Sequence, residues 1–592
     1  MEASWLAVGG TLGAVAGAYL LWARRERSVP IAPLDAPPAA PGWKGTFRDA
    51  NALLFENGTV HCYDPATGYI LGAFPADTPS TISDKIGRAA EAQAVWRRST
   101  WRERREVLRT MQAWLMHDME SVVRVACRDT GKTMIDAAFG ELLTTCSKLA
   151  WTIQHGERVL RTETRSGNLL MAHKRSTVVH EPLGVVAACV SWNYPVHNML
   201  GPVISALFAG NAIVIKASEH VAWSSHLVLD AVRRCLRACG HAPELVQLVV
   251  CTPDDAALLT RDPRLAHITF IGSDAVGRKV AAAAAPQLTA TTLELGGKDP
   301  AVILEGTDIA FFSSMLMRSC FQAMGQNCIG IERFLVHSAL ESKLLDAILP
   351  RIAALRCGSA LDETRFGTLS TCNEDAIDCG AMISDARFAH LEALVEEAVA
   401  QGATLHVGGR RIRHETWPLG HYFAPTLLSH VAPWMRIAQE EAFAPIFLVM
   451  RFDTREEAIA LANGVPYGLG ASVFGPRRAA CMDVANALQC GMVNINDFGI
   501  SYLNQGLPFG GCKDSGYGRF AGPEGLLGLT QPKAITEDLA FGIVQTSIPP
   551  VVDYPVRNTQ KSWAFLRSLV RLAFGSVGER VKGLVGIVQA SL

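Results

Sequence analysis

Short apolar runs alternate with helical stretches between residues 185 and 271, and this alternation limits the possible folds more than any other feature of the chain. Stretches with helical character, such as Pro202–Ala209 and Val221–Cys239, separate the runs. Strands separated by helices imply βαβ units and a parallel sheet, whose ligands bind beyond the carboxyl ends of the strands. The predicted strands are Val185–Val190, Ala212–Lys216, Leu245–Val250 and His267–Ile271.

A second region of the same type is predicted from Ala301 to about Val493, and Leu169–Val179 is predicted to be extended chain. Because 49% of the 592 residues are hydrophobic and 19% are charged, the chain can bury large cores. The formal net charge of -1 gives no basic field, so no nucleic-acid partner is expected. The 15 cysteines contain no CxxC pair, so we expect no metal site and a reducing compartment.

The N-terminus contains an apolar segment, Trp5–Trp22, that carries no charge and is followed by Arg24, Arg25 and Arg27. A segment of this length is at the lower limit for spanning a bilayer, and the arginines place the body on the cytosolic side. Residues 1–27 are therefore predicted to be a transmembrane anchor, and a cleaved secretory signal is the alternative. The proline-rich residues 28–43 are predicted to be a semi-rigid linker.

The C-terminal residues 555–592 have an amphipathic pattern. If they form one helix, large apolar side chains share one face, while basic side chains flank or oppose it. This pattern is typical of an interfacial membrane helix, although a helix that packs on its own catalytic domain would also show it. The residues of the apolar face are Trp563, Leu566, Val570, Phe574, Val577, Val581, Leu584 and Val588.

Three motifs carry residues suited to chemistry. Cys328 lies in FQAMGQNCIG, where it is either a nucleophile or an inert buried thiol. Glu294 lies between leucines in LELGGKDP, where it is either a buried base with a raised pKa or an edge residue facing solvent. Asn193 lies in VSWNYPVHN, between a predicted strand and a helix, where it is either an oxyanion donor or a helix N-cap.

Together, in the order Asn, Glu, Cys, these motifs resemble those of the aldehyde dehydrogenase superfamily over roughly residues 45 to 540. The SWNYP and GQNCIGIER segments and both termini look most like the plant family 22 aldehyde dehydrogenases and related fungal membrane members. Ser191 and Ala444 depart from the family pattern, which usually has Pro and Gly there. Further agreement comes from IVIKASE, FIGSDAVG, EEAFAPIF, NGVPYGLGASVF and PFGGCKDSGYGR.

The resemblance implies catalytic roles. Cys328 would attack an aldehyde, Asn193 would stabilise the oxyanion, and Glu294 would activate the water that hydrolyses the thioester. Hydride would pass to NAD, which the Glu219 carboxylate favours over NADP. The residues implied for cofactor binding are Trp192, Lys216, Ser218, Glu219, Gly272, Ser273, Gly277, Leu295, Glu441 and Phe443.

The implied α/β fold has a Rossmann-like cofactor domain (44–163 and 182–294), a catalytic domain (295–528) and a small β oligomerisation arm (164–181 and 529–541). A homodimer or homotetramer is expected, acting on a small aliphatic or lipid-derived aldehyde at the endoplasmic reticulum or another endomembrane, on its cytosolic side. Two alternatives are a CoA-acylating semialdehyde dehydrogenase, which generally lacks the hydrolytic carboxylate, and a non-catalytic membrane scaffold.

Overall fold

The computed structural model describes residues 28–50, 52–361 and 377–591. The chain divides into two compact units. One contains the described residues up to Val159 together with Pro182–Leu529, and the other contains Leu160–Glu181 and the chain from Thr530 onward. The predicted anchor, residues 1–27, lies outside the described residues. Among the residues described, no helix is both long and apolar enough to cross a membrane.

Residues 28–43 run as irregular chain along the folded body. The Leu34 amide donates to Asp118 Oδ2 at 2.6 Å, and Arg128 Nε donates to the Pro38 carbonyl at 2.9 Å. Proline lacks an amide donor but keeps its carbonyl acceptor, so arginine side chains can fix such a segment. The segment predicted as a linker is therefore held in place by hydrogen bonds.

The first part of the fold combines a small antiparallel sheet with a helical layer. Strands β1 (Phe55–Glu56), β2 (Thr59–Tyr63) and β3 (Ile70–Pro75) pair in that order. The helices are α1 (Pro79–Trp96), α2 (Trp101–His117), α3 (Met119–Thr130), α4 (Met134–Ala137) and α5 (Thr144–Leu160), with a π-helical turn at Ala138–Leu143 before α5. Two strands follow, β4 (Glu163–Arg165) and β5 (Lys174–Pro182).

The predicted parallel sheet is present. Its parallel strands are β6 (Val185–Cys189), β7 (Ala212–Lys216), β8 (Val246–Val249), β9 (Leu265–Ile271) and β10 (Ala290–Glu294). They lie in the order β10-β9-β6-β7-β8, and the antiparallel strand 516–517 adds to β10 at the edge. The intervening helices are α6 (Pro195–Ala209), α7 (Ala222–Ala238), α8 (Pro253–Thr260) and α9 (Asp274–Ala284). Helix α6 starts seven residues earlier than predicted, because Pro195 occupies its first turn.

The second sheet has seven strands and packs within an extensive apolar core. Its order is β13-β16-β17-β12-β11-β18-β19, parallel except for β13. The strands of this region are β11 (Asp299–Ile303), β12 (Ile331–His337), β13 (Thr404–Val407), β14 (Arg411–Ile412), β15 (Tyr422–Phe423), β16 (Thr426–Ser429), β17 (Ile446–Phe452), β18 (Gly470–Phe474) and β19 (Met492–Ile495). The helices are α10 (Ile309–Phe321), α11 (Glu341–Ala353), α12 (Phe388–Ala400), α13 (Arg436–Gln439), α14 (Arg455–Asn463), α15 (Arg478–Ala487) and α16 (Ile500–Leu503).

The chain returns through β20 (Gly516–Tyr517), the edge strand of the first sheet, and through α17 (Gly522–Leu527). Strand β21 (Thr530–Asp538) then pairs with β5 to form a three-stranded sheet in the order β21-β5-β4. This sheet lies where the oligomerisation arm is predicted, and the role of the arm stays a prediction.

The tail forms two helices, α18 (Thr559–Phe574) and α19 (Val577–Ser591), that pack against each other as a hairpin. The tail is not the single helix on which the predicted apolar face was based, because the chain leaves the helical conformation at Gly575. Glycine loses more conformational freedom in a helix than other residues, so it favours a break.

Candidate active site

The carboxyl ends of strands in the first sheet and loops of the second sheet, including those before β12 and β17, surround one cavity of about 420 Å³. Asn193 follows β6, Glu294 ends β10, and Cys328 precedes β12. All three line this cavity, so the structure brings together the three residues that sequence motifs predict as catalytic. Six of the predicted cofactor residues line it as well: Trp192, Gly272, Ser273, Leu295, Glu441 and Phe443.

Cys328 is placed by a backbone reversal after α10. Ala323, Met324 and Gly325 have φ angles of 51°, 60° and 70°. Left-handed conformation is unfavourable for residues that carry a Cβ, and it clusters at functional sites. Gln326 holds the reversal, because its Oε1 accepts a hydrogen bond from the Ile383 amide at 2.9 Å. Because of this reversal, Cys328, three residues after Gly325, lies at the cavity.

The Glu294 carboxyl lies beside the Cys328 thiol, and the two groups shift each other's pKa. Burial raises the pKa of Glu294 to about 8 and that of the Cys328 thiol well above its usual value. No side-chain or backbone partner within the described residues reaches Glu294 Oε1. A buried carboxyl with a spare oxygen next to a thiol can accept a proton from the thiol or from a water molecule.

Asn193 is oriented by three hydrogen bonds. Its Nδ2 donates to the Gln326 carbonyl at 3.1 Å. Its Oδ1 accepts from Ser191 Oγ at 2.5 Å and from Asn198 Nδ2 at 3.1 Å. These contacts fix the Asn193 amide with its Nδ2 toward the loop that contains Cys328. One N–H of Nδ2 is used by the Gln326 carbonyl, so the other N–H can donate to a substrate oxygen. The N-cap of α6 is Tyr194, so Asn193 does not have the alternative N-cap role.

A buried ion pair between Lys132 and Glu141, here called the first clamp, supports this turn. Lys132 Nζ donates to Glu141 Oε1 at 2.8 Å and to the Asn193 carbonyl at 2.6 Å. Glu141 Oε2 accepts from the amides of Val196 at 3.1 Å and His197 at 2.9 Å. The carboxylate thus satisfies donors at the N-terminus of α6, where anions are stabilised.

A second buried pair, Lys298 and Glu332, here called the second clamp, supports the loop that contains Phe443. Their atoms Nζ and Oε2 are 2.5 Å apart. The Glu332 carboxylate accepts from the amides of Ala442 and Phe443, each at 2.9 Å. It thereby holds Phe443, which has a φ of 51°. The neighbouring Ala444 needs no left-handed conformation, so replacing the usual glycine causes no backbone strain there.

The loop held by the second clamp faces Trp192 and the end of β10. The rings of Trp192 and Phe443 make an edge contact at 5.7 Å between centroids. Glu441 Oε1 accepts from the Gly297 amide at 3.0 Å, and burial raises the pKa of Glu441 to about 8.

The other predicted cofactor residues lie along the same edge of the first sheet. Lys216 ends β7 and its Nζ is 3.5 Å from Glu219 Oε2. Burial raises the pKa of Glu219, but Lys216 and a backbone hydrogen bond outweigh it, so the carboxyl stays ionised at neutral pH. Ser218 Oγ accepts from the His220 amide at 3.4 Å and caps a helical turn.

Gly272 follows β9, and Ser273 is the N-cap of α9 without a side-chain capping bond. A Cβ on Gly277 would lie 2.5 Å from a Leu295 methyl, so glycine lets α9 approach the β10 loop. Lys216, Ser218, Glu219 and Gly277 are not among the residues that line the cavity described here.

Aromatic side chains form the remaining wall of the cavity, from Phe139, Tyr194, Phe498, Tyr502, Phe509 and Phe520. Tyr502 is hydrogen-bonded to His197 Nε2. His197 Nδ1 contacts Thr145 Oγ1 at 2.9 Å, and the Thr145 hydroxyl donates to the Glu141 carbonyl at 2.5 Å. Burial lowers the pKa of His197 to about 3, so the ring is neutral.

Several of these positioning residues are not evident from the sequence. Asn198 and Ser191 lie inside the VSWNYPVHN motif, and Glu332 lies in GQNCIGIER, so proximity to a reacting residue is a usable signal. Lys132 lies 61 residues before Asn193 and Glu141 lies between them, neither of them in a motif, and only tertiary structure brings them to Asn193.

A thiol, a carboxyl and an amide donor in one cavity are the groups that an enzyme with a cysteine nucleophile would use. The chain belongs to the aldehyde dehydrogenase family, whose profile matches residues 55–535. The family and fold predicted from the motifs are therefore confirmed, whereas the finer likeness to plant family 22 stays a prediction.

Similar proteins include an aldehyde dehydrogenase-like protein of Schizosaccharomyces pombe, 47% identical over 88% of this chain and 97% of that protein. An aldehyde dehydrogenase-like protein of Saccharomyces cerevisiae is 45% identical over 94% of this chain and 87% of that protein. Among solved structures, a Mycobacterium tuberculosis aldehyde dehydrogenase complexed with NAD+ has a TM-score of 0.75 and 28% identity, covering 82% of this chain and 96% of that one.

Proposed function

We propose that this protein oxidises an aldehyde to a carboxylic acid with NAD as the hydride acceptor. The observation that carries the proposal is the contact between the Glu294 carboxyl and the Cys328 thiol beside the Asn193 amide, in one cavity. The thiol loses its proton to Glu294 and attacks the carbonyl carbon, and the Asn193 N–H stabilises the oxyanion. NAD, when bound at this cavity, would supply the hydride acceptor, and loss of hydride from the carbon would convert the adduct on Cys328 into a thioester.

Hydrolysis then completes the reaction. Glu294 removes a proton from a water molecule, the hydroxide attacks the thioester carbonyl, and the Cys328 sulfur leaves and regains a proton. Both steps require a base at the same place, and the spare Oε1 of Glu294 supports the second one. A CoA-acylating enzyme would need no base for hydrolysis, because CoA would take the acyl group instead of water.

The residues along the first sheet fit NAD. The ionised Glu219 carboxylate can accept hydrogen bonds from ribose hydroxyls and would repel a 2′-phosphate, while Lys216 orients it. The N-terminus of α9 after Gly272 offers backbone donors to a pyrophosphate. Glu441 and Phe443 would hold the nicotinamide end. The NAD+ complex of the Mycobacterium tuberculosis relative supports this assignment.

The aromatic wall favours an aldehyde with an apolar body, such as a small aliphatic or a lipid-derived aldehyde. NADH production across aldehydes of increasing chain length would test this preference. Equal rates for short polar aldehydes and for aliphatic ones would contradict it.

The variant Glu294→Gln tests the mechanism. It should form at most one equivalent of NADH, and slowly, because thiol deprotonation also loses its base. Turnover should then stall with an acyl group on Cys328 that is visible by mass spectrometry. Loss of a general base typically lowers turnover ~10²–10⁴-fold. As the matched control, Cys328→Ala should give no burst and keep NAD affinity. Unchanged CoA-independent turnover in Glu294→Gln would refute the role.

We further propose that residues 5–22 anchor the protein in the endoplasmic reticulum or another endomembrane, with the catalytic body in the cytosol. The uncharged segment and the arginines that follow it support this. Retention in membranes after carbonate washing, with the chain beyond Pro41 open to protease from the cytosolic side, is the expected result. A soluble lumenal form that begins after Trp22 would overturn it.

The three-stranded sheet β21-β5-β4 supports a homodimer or homotetramer, because its outer strands β21 and β4 have edges that could pair with another copy. Light scattering of the purified protein tests the assembly, and a monomer at micromolar concentration would contradict it.

A further inference from the structure

The C-terminal hairpin of α18 and α19 has an unusual distribution of side chains. Most of its large apolar residues point to solvent, with exposed fractions of 43–82%, whereas Leu569, Leu572 and Ile587 are half-buried. The exposed residues are Trp563, Leu566, Val570, Phe574, Val577, Val581, Leu584, Val585 and Val588. In a helical hairpin whose outer surface is exposed to water, these side chains would lie between the helices.

The contact between the helices, here called the seam, is made mostly of small residues. A Cβ on Gly583 would lie 2.5 Å from the Leu572 amide nitrogen and 2.6 Å from the Ser568 carbonyl, so glycine allows the backbones to approach closely. Small residues between helices and large apolar residues outside are the arrangement of helices that pack in lipid. The buried residues of the hairpin are Ser562, Phe565, Ser568, Ala573, Gly583 and Ala590, of which only Phe565 is large.

The charge of the tail indicates what covers the apolar face. Residues 555–592 contain six basic side chains and one acidic side chain, Glu579. Two copies of such a surface would place like charges against each other, which disfavours a self-interface. An anionic lipid surface would attract them, at roughly 1 kcal/mol for each basic residue near it.

The lengths of the helices and the position of the charges determine how the hairpin meets a bilayer. Helices of 16 and 15 residues are ~24 and ~22 Å long, shorter than the ~30 Å hydrocarbon core. The turn is flanked by Arg571, Glu579, Arg580 and Lys582, and Arg571 Nε is 3.1 Å from Glu579 Oε2. Charges at the tip disfavour insertion of the turn first.

We propose that the hairpin is a lipid-docking surface that lies in the boundary between headgroups and acyl chains of an anionic membrane. It acts in addition to the N-terminal segment and independently of aldehyde oxidation. Its apolar face enters the acyl region, and its basic side chains remain at the headgroups.

Amide hydrogen exchange of the full chain, reconstituted in vesicles, tests the proposal. Peptides covering 559–591 should exchange about tenfold more slowly in vesicles that contain phosphatidylserine than in phosphatidylcholine alone. The readout is local, so binding through residues 5–22 does not contribute to it, and loss of aldehyde oxidation would leave it unchanged.

The variant Val570→Asp/Val581→Asp/Val588→Asp changes only exposed positions and should lose this protection. Val95→Asp, in α1 at a position 76% exposed, is the matched control and should keep it. Lys561→Gln/Arg567→Gln should lose the dependence on phosphatidylserine. Exchange at the same rate with and without phosphatidylserine would overturn the proposal. Protection that rises with the protein-to-lipid ratio in phosphatidylcholine alone would also overturn it, and would indicate that a second copy covers the face.

Discussion

The first and second clamps use the same chemistry at two loops that line the cavity. In each, a buried lysine pairs with a buried glutamate, and the glutamate accepts two backbone N–H groups. In the first clamp, those N–H groups begin helix α6, and Lys132 also binds the Asn193 carbonyl. In the second, they belong to a loop in which Phe443 is left-handed.

The two clamps differ in the backbone segment that each one fixes. The first clamp satisfies a helix end that would need partners in any case, and orients the amide that meets the substrate oxygen. The second clamp keeps a strained loop in place at the end of the cavity assigned to nicotinamide. Removing each glutamate should therefore affect different kinetic constants.

The largest effect is expected for Glu141→Gln. The amide cannot neutralise Lys132, and removing one partner of a buried pair typically costs ~3–5 kcal/mol of stability. Urea unfolding should show this loss, and kcat should fall because the Asn193 turn is released. The exposed pair Arg411–Glu392 is the control, since Glu392→Gln should cost less than ~1 kcal/mol. Equal stability of the two variants would contradict the role of the first clamp.

Glu332→Gln should also destabilise the fold, because Lys298 loses its charge partner, but it should change the KM for NAD rather than kcat. Release of the Phe443 loop should raise the KM for NAD about tenfold, which corresponds to ~1.4 kcal/mol. Steady-state kinetics at fixed aldehyde would measure it. A fall in kcat with no change in this KM would mean that the two clamps support the same step.

The pH profile sharpens the comparison, because both loops line the cavity that contains Glu294. With its pKa raised to about 8 by burial, the carboxyl is mostly protonated at pH 7 and cannot act as a base. At saturating NAD, kcat should therefore fall up to tenfold per unit of pH below about 8, as the base is protonated. A kcat that is constant from pH 6 to 9 would exclude Glu294 as the rate-determining base.

A smaller effect is expected for Asn198→Leu, which removes one donor to Asn193 Oδ1 and the contacts of the same amide with Ser191, while the Ser191 hydroxyl can still donate to Asn193. A hydrogen bond of this kind contributes ~1 kcal/mol, so kcat should drop roughly five- to tenfold. The KM for NAD and the pH profile should not move. A change in NAD affinity alone would indicate a structural rather than a positioning role.

Local patterns predicted much of this molecule, because strand burial and motif residues are encoded within a few positions. The strands at 185–189, 212–216 and 265–271 were indicated by apolar runs, and the motifs identified Cys328, Glu294 and Asn193. The first clamp was not predictable, since nothing near Lys132 or Glu141 in sequence signals that they meet α6.

The tail shows the same limit. The sequence pattern identified its exposed apolar positions. The hairpin, however, depends on a break at Gly575 and on glycines that allow close helix contact, and this role is evident only when the second helix is seen against them. Periodicity reports which residues share a face and does not report what that face contacts.

The hydrogen-bond chain behind Tyr502 has a fixed direction, with a consequence for selectivity. Thr145 gives its one hydroxyl proton to a carbonyl, so His197 Nδ1 must carry the proton that bonds Thr145. The neutral ring then accepts at Nε2, and the Tyr502 hydroxyl proton points away from the cavity. At that point the wall offers lone pairs and no proton. A substrate bearing a hydroxyl or an N–H there gains a partner, whereas a carboxylate meets repulsion.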